Sequence, residues 1–240
     1  MRLITCENYD EMSKIAAYMV AGQIVLKPNC VLGFATGSTP EGMYAELANM
    51  HKSSYLDFAE VKTFNLDEYY PIDRANDQSY YYFMNHHLFS KVNLKPENVN
   101  LPNGAAKDAA AECVAYDKKI EDCGGIDLQI LGIGNNGHIA FNEPGEELTA
   151  GTSMVTLTDD TIKANSRFFA SEADVPKHAL SSGMATIMKA RQIIIMISGK
   201  NKNTPLKKLL SGKITCNCPA TMLNMHPNVT IIADKDAMNG

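Results

Sequence analysis

The sequence LGIGNNGHIAFNEPG, residues 131–145, is the stretch around which we interpret the rest of the chain. It continues the short apolar run 126–131, which is typical of a buried strand, and its glycines then interrupt that strand. Glycine lets the backbone adopt positive φ and approach a ligand closely. The pattern therefore predicts a strand that ends in a sharp loop, with His138 on that loop.

A carboxylate, Glu143, follows His138 on the same loop, and Pro144 restricts Glu143 to extended or turn geometry, so the two side chains can face each other. A histidine held by a carboxylate is fixed in one tautomer and becomes more basic, which suits proton transfer to or from a sugar or carbonyl oxygen. The alternative is a glycine-rich turn in which His138 caps a helix or satisfies a backbone group. A dinucleotide site is disfavoured, because no long amphipathic helix follows the glycines.

The bulk composition is that of an ordinary globular protein. The chain has 240 residues, 45% of them hydrophobic and 20% charged, which is enough to bury a full core in one domain. The net charge is −5 and no block of lysine or arginine occurs, which argues against a nucleic-acid partner. The sequence has no signal-peptide layout and no apolar window of membrane-spanning length. We expect one catalytic domain over 1–240, located in the cytoplasm and not in a membrane.

The cysteines give no indication of a metal site. Six of them are scattered along the chain and none forms a Cys-x-x-Cys pair. We interpret them as reduced, partly buried small side chains, and we expect no bound metal.

Strand and helix patterns alternate from one end of the chain to the other. This alternation predicts an α/β fold with a mostly parallel sheet and helices on both of its faces. The predicted strands cover 2–5, 31–35, 61–66, 126–131, 192–198 and 229–233. The predicted helices cover 9–25, 40–50, 79–89, 105–123 and 176–190, with another from about 204.

The turn TGSTP, residues 36–40, follows the second predicted strand. Thr39 suits the N-cap position of a helix and Pro40 its first turn. The unpaired N–H groups of that turn, the bare backbone at Gly37 and the hydroxyls of neighbours such as Ser38 together favour a phosphate-binding site. The turn lacks the Gly-Lys-Ser/Thr of a nucleotide loop, which favours a phosphate monoester. The alternative is a well-capped helix without a ligand.

Two further strand ends carry charged side chains. Asp67 and Glu68 follow the strand 61–66, and Lys202 follows the strand 192–198. On local sequence alone, Asp67 and Glu68 are more typical of acids in a solvated loop. In open α/β sheets, however, ligands bind outside the carboxyl ends of the strands, so their position favours a role in the site.

The segment after Glu143 departs from the alternating pattern. Residues 145–152 are polar and contain glycine, while 164–169 and 175–177 suggest an excursion of loop and helix. We predict that a lid covers the site and spans residues about 148–182.

Four ordered motifs resemble those of the glucosamine-6-phosphate deaminase (isomerase) family, over nearly the whole chain. They are TGSTP at 36–40, FNLDEY at 64–69, GHIAFNEP at 137–144 and ANSRFF at 164–169. The resemblance implies a three-layer Rossmann-like sandwich, shared with ribose-5-phosphate isomerases and CoA transferases. It also implies conversion of glucosamine 6-phosphate and water to fructose 6-phosphate and ammonia, without a metal or organic cofactor. On this basis we expect a hydrolase that acts on a C–N bond.

The resemblance also implies roles for individual residues. His138 with Glu143 would open the pyranose ring by moving a proton from the anomeric hydroxyl to the ring oxygen. Asp67 would remove the proton on C2 and return it to C1. The substrate phosphate would be held by Gly37, Ser38, Thr39, Arg167 and Lys202.

The chain departs from its relatives at two places. In some relatives the position of Asn136 is an aspartate that works with the histidine, so Asn136 counts as a catalytic residue whose side chain here is neutral. Larger members form hexamers activated by N-acetylglucosamine 6-phosphate through basic residues after the Asn-Glu-Pro motif. Residues 152–156 here contain no lysine or arginine. We expect no activation by this effector, and a monomer or a small homo-oligomer.

Two other functions remain compatible with parts of the sequence. A 6-phosphogluconolactonase shares a Gly-His loop and a phosphate turn, although it needs no base at Asp67. A non-catalytic sugar-phosphate sensor would share the fold, but such domains usually accompany a basic DNA-binding module, which the 240 residues do not show.

Overall fold

A seven-stranded parallel sheet forms the centre of the chain in a computed structural model, which describes residues 1–158, 161–163, 166, 169, 171 and 174–240. The described strands, three of which (β4, β7 and β8) lie outside this sheet, are β1 (Arg2–Cys6), β2 (Val31–Phe34), β3 (Lys62–Asn65), β4 (Asp67–Tyr70), β5 (Val99–Asn100), β6 (Leu128–Leu131), β7 (Ser153–Thr156), β8 (His178–Ser181), β9 (Gln192–Ile197) and β10 (Val229–Asp234). The spatial order in the main sheet is β1-β10-β9-β6-β2-β3-β5.

Helices cover both faces of this sheet. They are α1 (Tyr9–Leu26), α2 (Ser38–Lys52), α3 (Tyr80–His87), α4 (Ala109–Asp122), α5 (Met184–Met188), α6 (Asn203–Leu210) and α7 (Lys235–Asn239). The first three pack through one apolar cluster, and the other four through a second cluster on the opposite face. Among the described helices, none is both long enough and apolar enough to cross a membrane.

The central strands contribute side chains to both clusters. In β9, Ile193, Ile195 and Ile197 pack on the face of α4 to α7, while Ile194 and Met196 pack on the face of α1 to α3. This alternation follows from the two-residue period of a strand, and it explains why a strand buried on both faces is a continuous apolar run. The predicted three-layer α/β architecture is confirmed.

The strand order changes direction between β2 and β6. From β2 the chain proceeds outward through β3 to β5, whereas from β6 it proceeds through β9 to β10 on the other side. A crevice forms outside the carboxyl ends of the strands at such a switch point. The loops that follow β2 and β6 therefore face each other, as the sequence predicts.

A second sheet, antiparallel and three-stranded, has the order β4-β8-β7. It was not predicted: Asp67 and Glu68 lie in a strand rather than a loop, and Asp67 pairs with Ser181. The predicted helix over 176–190 is also wrong, because 178–181 form the middle strand β8 and only Met184–Met188 is helical. Pairing on both sides of β8 outweighs the local helical pattern.

Asp127 joins the amino ends of three strands of the main sheet. Its carboxylate is 6% exposed and accepts hydrogen bonds from Lys27 Nζ at 2.8 Å and from the backbone N–H of Val31 at 2.8 Å. Arg191 Nε lies 3.3 Å from its other oxygen. This cluster fixes β2, β6 and β9 at the end of the sheet opposite to the crevice.

We expect Asp127→Asn to lower the free energy of unfolding by about 2 kcal/mol, the scale of a lost hydrogen bond to a charged group. Urea denaturation measures this change. The matched control is Asp122→Asn, which breaks the Lys118 ion pair, whose two side chains are 69% and 62% exposed. Such a pair contributes less than about 1 kcal/mol. Equal losses in the two variants would contradict the structural role of Asp127.

Candidate active site

A cavity of about 920 Å³ lies at the switch point of the main sheet. Of the nine predicted site residues, it is lined by Gly37, Ser38, Thr39, Asp67, Asn136, His138 and Lys202. Glu143 lies behind His138, at 3.0 Å from its ring. Arg167 lies outside the described residues. The structure thus brings together side chains that are far apart in the sequence.

The turn after β2 forms one wall of this cavity. Helix α2 begins at Ser38, and its N-cap is Gly37, with φ of 97° and no side-chain cap. The predicted N-cap role of Thr39 is therefore wrong, because the left-handed conformation of Gly37 starts the helix earlier. The N–H groups of the first helical turn have no acceptor within the helix. Gly37, Ser38 and Thr39 all line the cavity, so the helix start and the hydroxyls form an arrangement suited to an anion.

Two tyrosines hold this turn in place. The hydroxyl of Tyr9 donates to Ser38 O at 2.9 Å and accepts from the N–H of Gly42 at 2.8 Å. The hydroxyl of Tyr44 donates to Ala35 O at 2.5 Å. The backbone donors are therefore oriented before any ligand binds. On the far side of the cavity, the 3-10 helix Lys200–Lys202 after β9 adds positive charge.

The loop after β6 depends on two of its glycines for different reasons. Gly137 has φ of 94°, and a Cβ there would lie 2.3 Å from the sulfur of Cys218. A Cβ on Gly134 would lie 2.4 Å from the ring of His138. The N–H of Gly134 also donates to His138 O at 2.9 Å. The imidazole can therefore fold back over the loop only because Gly134 has no side chain.

Glu143 accepts three polar contacts on its two oxygens. Oε1 lies 3.0 Å from His138 Nδ1 and 2.8 Å from the hydroxyl of Thr161, while Oε2 accepts from Asn136 Nδ2 at 2.6 Å. Burial opposes ionisation of Glu143, but these hydrogen bonds from His138, Asn136 and Thr161 lower its pKa below the usual value. Buried Nδ1 has no other partner in the described part of the chain. The carboxylate thus orients the imidazole.

Asn136 makes two hydrogen bonds within the loop after β6. Its Oδ1 accepts the backbone N–H of His138 at 3.1 Å, while its amide donates to Glu143. An aspartate at this position could not donate and would repel the carboxylate. The neutral side chain therefore stabilises the ionised form of Glu143 directly.

Asp67 is the first residue of β4 and is 7% exposed. Burial, and then the charge of the neighbouring Glu68, raises the pKa of Asp67 to about 8. Successive strand residues point to opposite faces, and Glu68 points away from the cavity. Glu68 accepts backbone N–H groups of Tyr69, Tyr80 and Tyr81 at 2.9, 2.8 and 3.0 Å.

The three backbone N–H groups that donate to Glu68 favour its ionisation over that of Asp67. Burial raises the pKa of Glu68 to about 7, but its N–H partners favour the ionised form. These donors therefore favour charge on Glu68, and burial together with that charge favours the protonated form of Asp67. The sequence gives no indication of this role for Glu68, because its partners lie in α3.

Aromatic rings form the remaining wall. Tyr69 lies 4.7 Å from Tyr80 and 5.7 Å from Phe169, and Tyr80 stacks on Phe141 at 6.3 Å, measured between ring centroids. These rings pack on one another and also line the cavity. Together with Thr161, they are site residues that the sequence did not identify. Tyr69, Phe141 and Phe169 do lie in the motifs quoted above, but an aromatic ring there is equally typical of core packing.

The arrangement is suited to acid–base chemistry on a small anion. An oriented imidazole, a buried carboxyl group of raised pKa and an anion-binding turn share one cavity. Among the described residues, no group of three or more His, Cys, Asp or Glu side chains is placed to hold a metal ion. The absence of a cofactor stays a prediction.

The chain has clear relatives. Residues 9–232 match the family described as glucosamine-6-phosphate isomerases/6-phosphogluconolactonase. A glucosamine-6-phosphate deaminase of Halothermothrix orenii is 56% identical, over 99% of this chain and 98% of the relative. The enzyme of that name from Thermoanaerobacter pseudethanolicus is 54% identical, over 99% of this chain and 94% of the relative.

Two solved structures are also similar to this chain. A monomeric glucosamine-6-phosphate deaminase superposes with a TM-score of 0.96 at 43% identity, covering 99% of this chain and 98% of that chain. The 6-phosphogluconolactonase of Thermotoga maritima superposes with a TM-score of 0.75 at 21% identity, covering 98% of this chain and 99% of that chain. The second similarity concerns the fold alone.

Proposed function

Because this chain belongs to the glucosamine-6-phosphate isomerase/6-phosphogluconolactonase family, we propose that it is a glucosamine-6-phosphate deaminase. It converts glucosamine 6-phosphate and water to fructose 6-phosphate and ammonia. The observation that carries this proposal is the convergence of Asp67, His138 and the turn 36–40 on one cavity. Relatives named for this activity match the chain over nearly its full length.

The sequence-based assignment to the hydrolases is wrong. The family description names glucosamine-6-phosphate isomerases beside 6-phosphogluconolactonase, and the chemistry proposed for the amino sugar is that of an isomerase. Hydrogen moves from C2 to C1 of the open amino sugar, and ammonia leaves when water attacks the imine that this isomerisation produces. Water thus enters after the step that the site catalyses.

The phosphate of the substrate binds first to the turn after β2. Gly37, Ser38 and Thr39 supply backbone and hydroxyl donors, and Lys202 supplies a charge-assisted bond from across the cavity. We include Arg167 in this set on the strength of the ANSRFF motif. Holding the far end of the sugar places C1 and C2 near Asp67, so that binding energy contributes to rate.

His138 then opens the ring. It accepts the proton of the anomeric hydroxyl, the bond between C1 and the ring oxygen breaks, and the ring oxygen takes the proton. Glu143 stabilises the imidazolium that forms between these two transfers, because its Oε1 lies 3.0 Å from Nδ1. Asn136 keeps that carboxylate ionised.

Asp67 carries out the isomerisation. As a carboxylate it takes the proton from C2 of the open aldehyde, while the C1 oxygen takes one proton from the ammonium group. As an acid it then returns the first proton to C1, which leaves a protonated imine at C2. The ammonium group on C2 lies beside Asp67, and its positive charge favours the ionised form despite the burial that raises the pKa of Asp67 in the free protein. A lactonase needs no group that serves two neighbouring carbons.

An ammonia-release assay tests the proposal. Purified protein is incubated with glucosamine 6-phosphate, with its N-acetylated and galacto analogues, and with 6-phosphogluconolactone. We expect ammonia and fructose 6-phosphate from the first compound at a rate well above those from its analogues. Hydrolysis of the lactone without ammonia release would support the lactonase alternative, and binding of the sugars without turnover would support a sensor.

We expect N-acetylglucosamine 6-phosphate not to activate the enzyme. Strand β7, Ser153–Thr156, carries no basic side chain that could bind a second phosphate. Initial rates at substrate concentrations well below KM, with and without the effector, measure this. A clear rise in rate would show that an effector site exists elsewhere, and a fall would show simple competition for the catalytic cavity.

The remaining features of the proposal concern the whole chain. We propose one catalytic domain that acts as a monomer, which the monomeric relative supports, with a lid over residues about 148–182. We also propose a cytoplasmic location. The six cysteines are free thiols, which is usual in a reducing compartment.

A further inference from the structure

One of the three donors to Glu143 comes from outside the loop that carries the catalytic pair. Asn136 and His138 lie on the same loop as Glu143, whereas Thr161 lies 18 residues after it. Thr161 is 8% exposed and lines the cavity. It belongs to the proposed lid. The site therefore draws one of its orienting contacts from outside the loop that carries His138 and Glu143.

A short relay of hydroxyls determines which way the Thr161 proton points. Thr158 Oγ1 donates to Thr161 Oγ1 at 3.0 Å, and Thr161 Oγ1 donates in turn to Glu143 Oε1 at 2.8 Å. Because the Thr161 oxygen already accepts a proton, its own proton is directed to the carboxylate, and each bond polarises the next. Oε1 is also the oxygen that faces His138 Nδ1.

Packing holds this segment against the aromatic wall. Leu157 and Ile162 contact the cluster that contains Tyr69 and Phe141. The N–H of Leu157 also donates to Lys177 O at 2.9 Å. The hydroxyl of Thr161 is thus held in place by apolar contacts to rings that themselves line the cavity.

We propose that Thr161 is a positioning residue for ring opening, which holds Oε1 of Glu143 against Nδ1 of His138. This inference rests on the proposed function. Without the hydroxyl, Glu143 keeps its contact to Asn136 through Oε2 but can rotate Oε1 away from the imidazole. Ring opening then slows, whereas binding of the phosphate and of an already open sugar does not change.

Three variants test this role. Thr161→Val removes the hydroxyl at nearly constant volume, Thr161→Ser retains it, and Thr230→Val changes a buried threonine of β10 that is outside the cavity. For Thr161→Val we expect kcat for glucosamine 6-phosphate to fall about tenfold or more, with KM changed less than about twofold. Thr161→Ser should remain within about threefold of the parent, and Thr230→Val should match it.

A binding measurement separates positioning from damage to the fold. The linear alditol 2-amino-2-deoxyglucitol 6-phosphate has no ring to open, and its Kd should be the same for Thr161→Val and the parent. Unchanged kcat in Thr161→Val, an equal loss in Thr161→Ser, or a loss of alditol binding that matches the loss of kcat would each overturn the inference. A parent protein that releases no ammonia would instead refute the proposed function.

Discussion

Replacement of Asp67 by asparagine is expected to lower kcat for ammonia release by about 1,000-fold, within the range that general acid–base groups contribute. Asparagine has nearly the same shape, yet it can neither take the proton from C2 nor return it to C1. Binding through the turn 36–40 should persist, so the variant should still bind the linear alditol phosphate. Steady-state ammonia release and calorimetric titration measure these two quantities. Unchanged turnover would remove Asp67 from its proposed role.

The same variant should be more stable than the parent at alkaline pH. In the folded protein the pKa of Asp67 is about 8, against 3.8 for a free aspartate. Between these values the folded state binds a proton that the unfolded chain releases, so stability from this group is complete below about pH 4 and declines as pH rises toward 8. The asparagine side chain of the variant does not ionise. Thermal unfolding at pH 8 should therefore give a higher midpoint for Asp67→Asn, whereas a lower midpoint would indicate a disrupted site.

Replacement of His138 by glutamine should lower kcat with glucosamine 6-phosphate by about 100-fold or more. Glutamine can donate a hydrogen bond to Glu143 but cannot accept and release a proton during ring opening. The defect should be smaller with an analogue that lacks the ring-forming hydroxyls and stays open-chain, because that analogue bypasses the step. Ammonia release from the two compounds, compared between variant and parent, measures the difference.

A second histidine provides the control for this experiment. His178 in β8 contacts Thr156 and does not line the cavity. His178→Gln should therefore leave both rates at the level of the parent. An equal loss with cyclic and open-chain compounds in His138→Gln would assign His138 to the isomerisation rather than to ring opening.

The main sheet and the switch point followed from the sequence because their signals are local. A strand buried on both faces must be apolar throughout, as Ile193–Ile197 is, and alternation with helices fixes the parallel arrangement. The positions of the turn after β2, of His138 and of Lys202 then follow from topology alone. The chemical roles of these residues came from the resemblance to a known family, because their spacing in the sequence does not determine them.

The features that the sequence did not predict depend on long-range contacts. β4 and β8 are strands because they pair with each other and with β7, although residues 176–190 contain an acceptable helical pattern. Charge on Glu68 is favoured by the N–H groups at the amino end of α3, and Thr161 donates to Glu143 from a separate segment of the chain. In each case the partner lies at least 12 positions away in the chain. The residues that neighbour it in the sequence therefore do not reveal the contact.

The missing side chain at Gly134 gives a practical means of sorting uncharacterised relatives. Any larger residue there would overlap the imidazole at 2.4 Å, so a protein with such a residue must orient its histidine differently or carry none. Related sequences can therefore be sorted by the residue at the position of Gly134 before any assay is carried out. Proteins without the glycine become candidates for sugar-phosphate receptors that descended from enzymes, and their ligands can be sought by binding rather than by turnover.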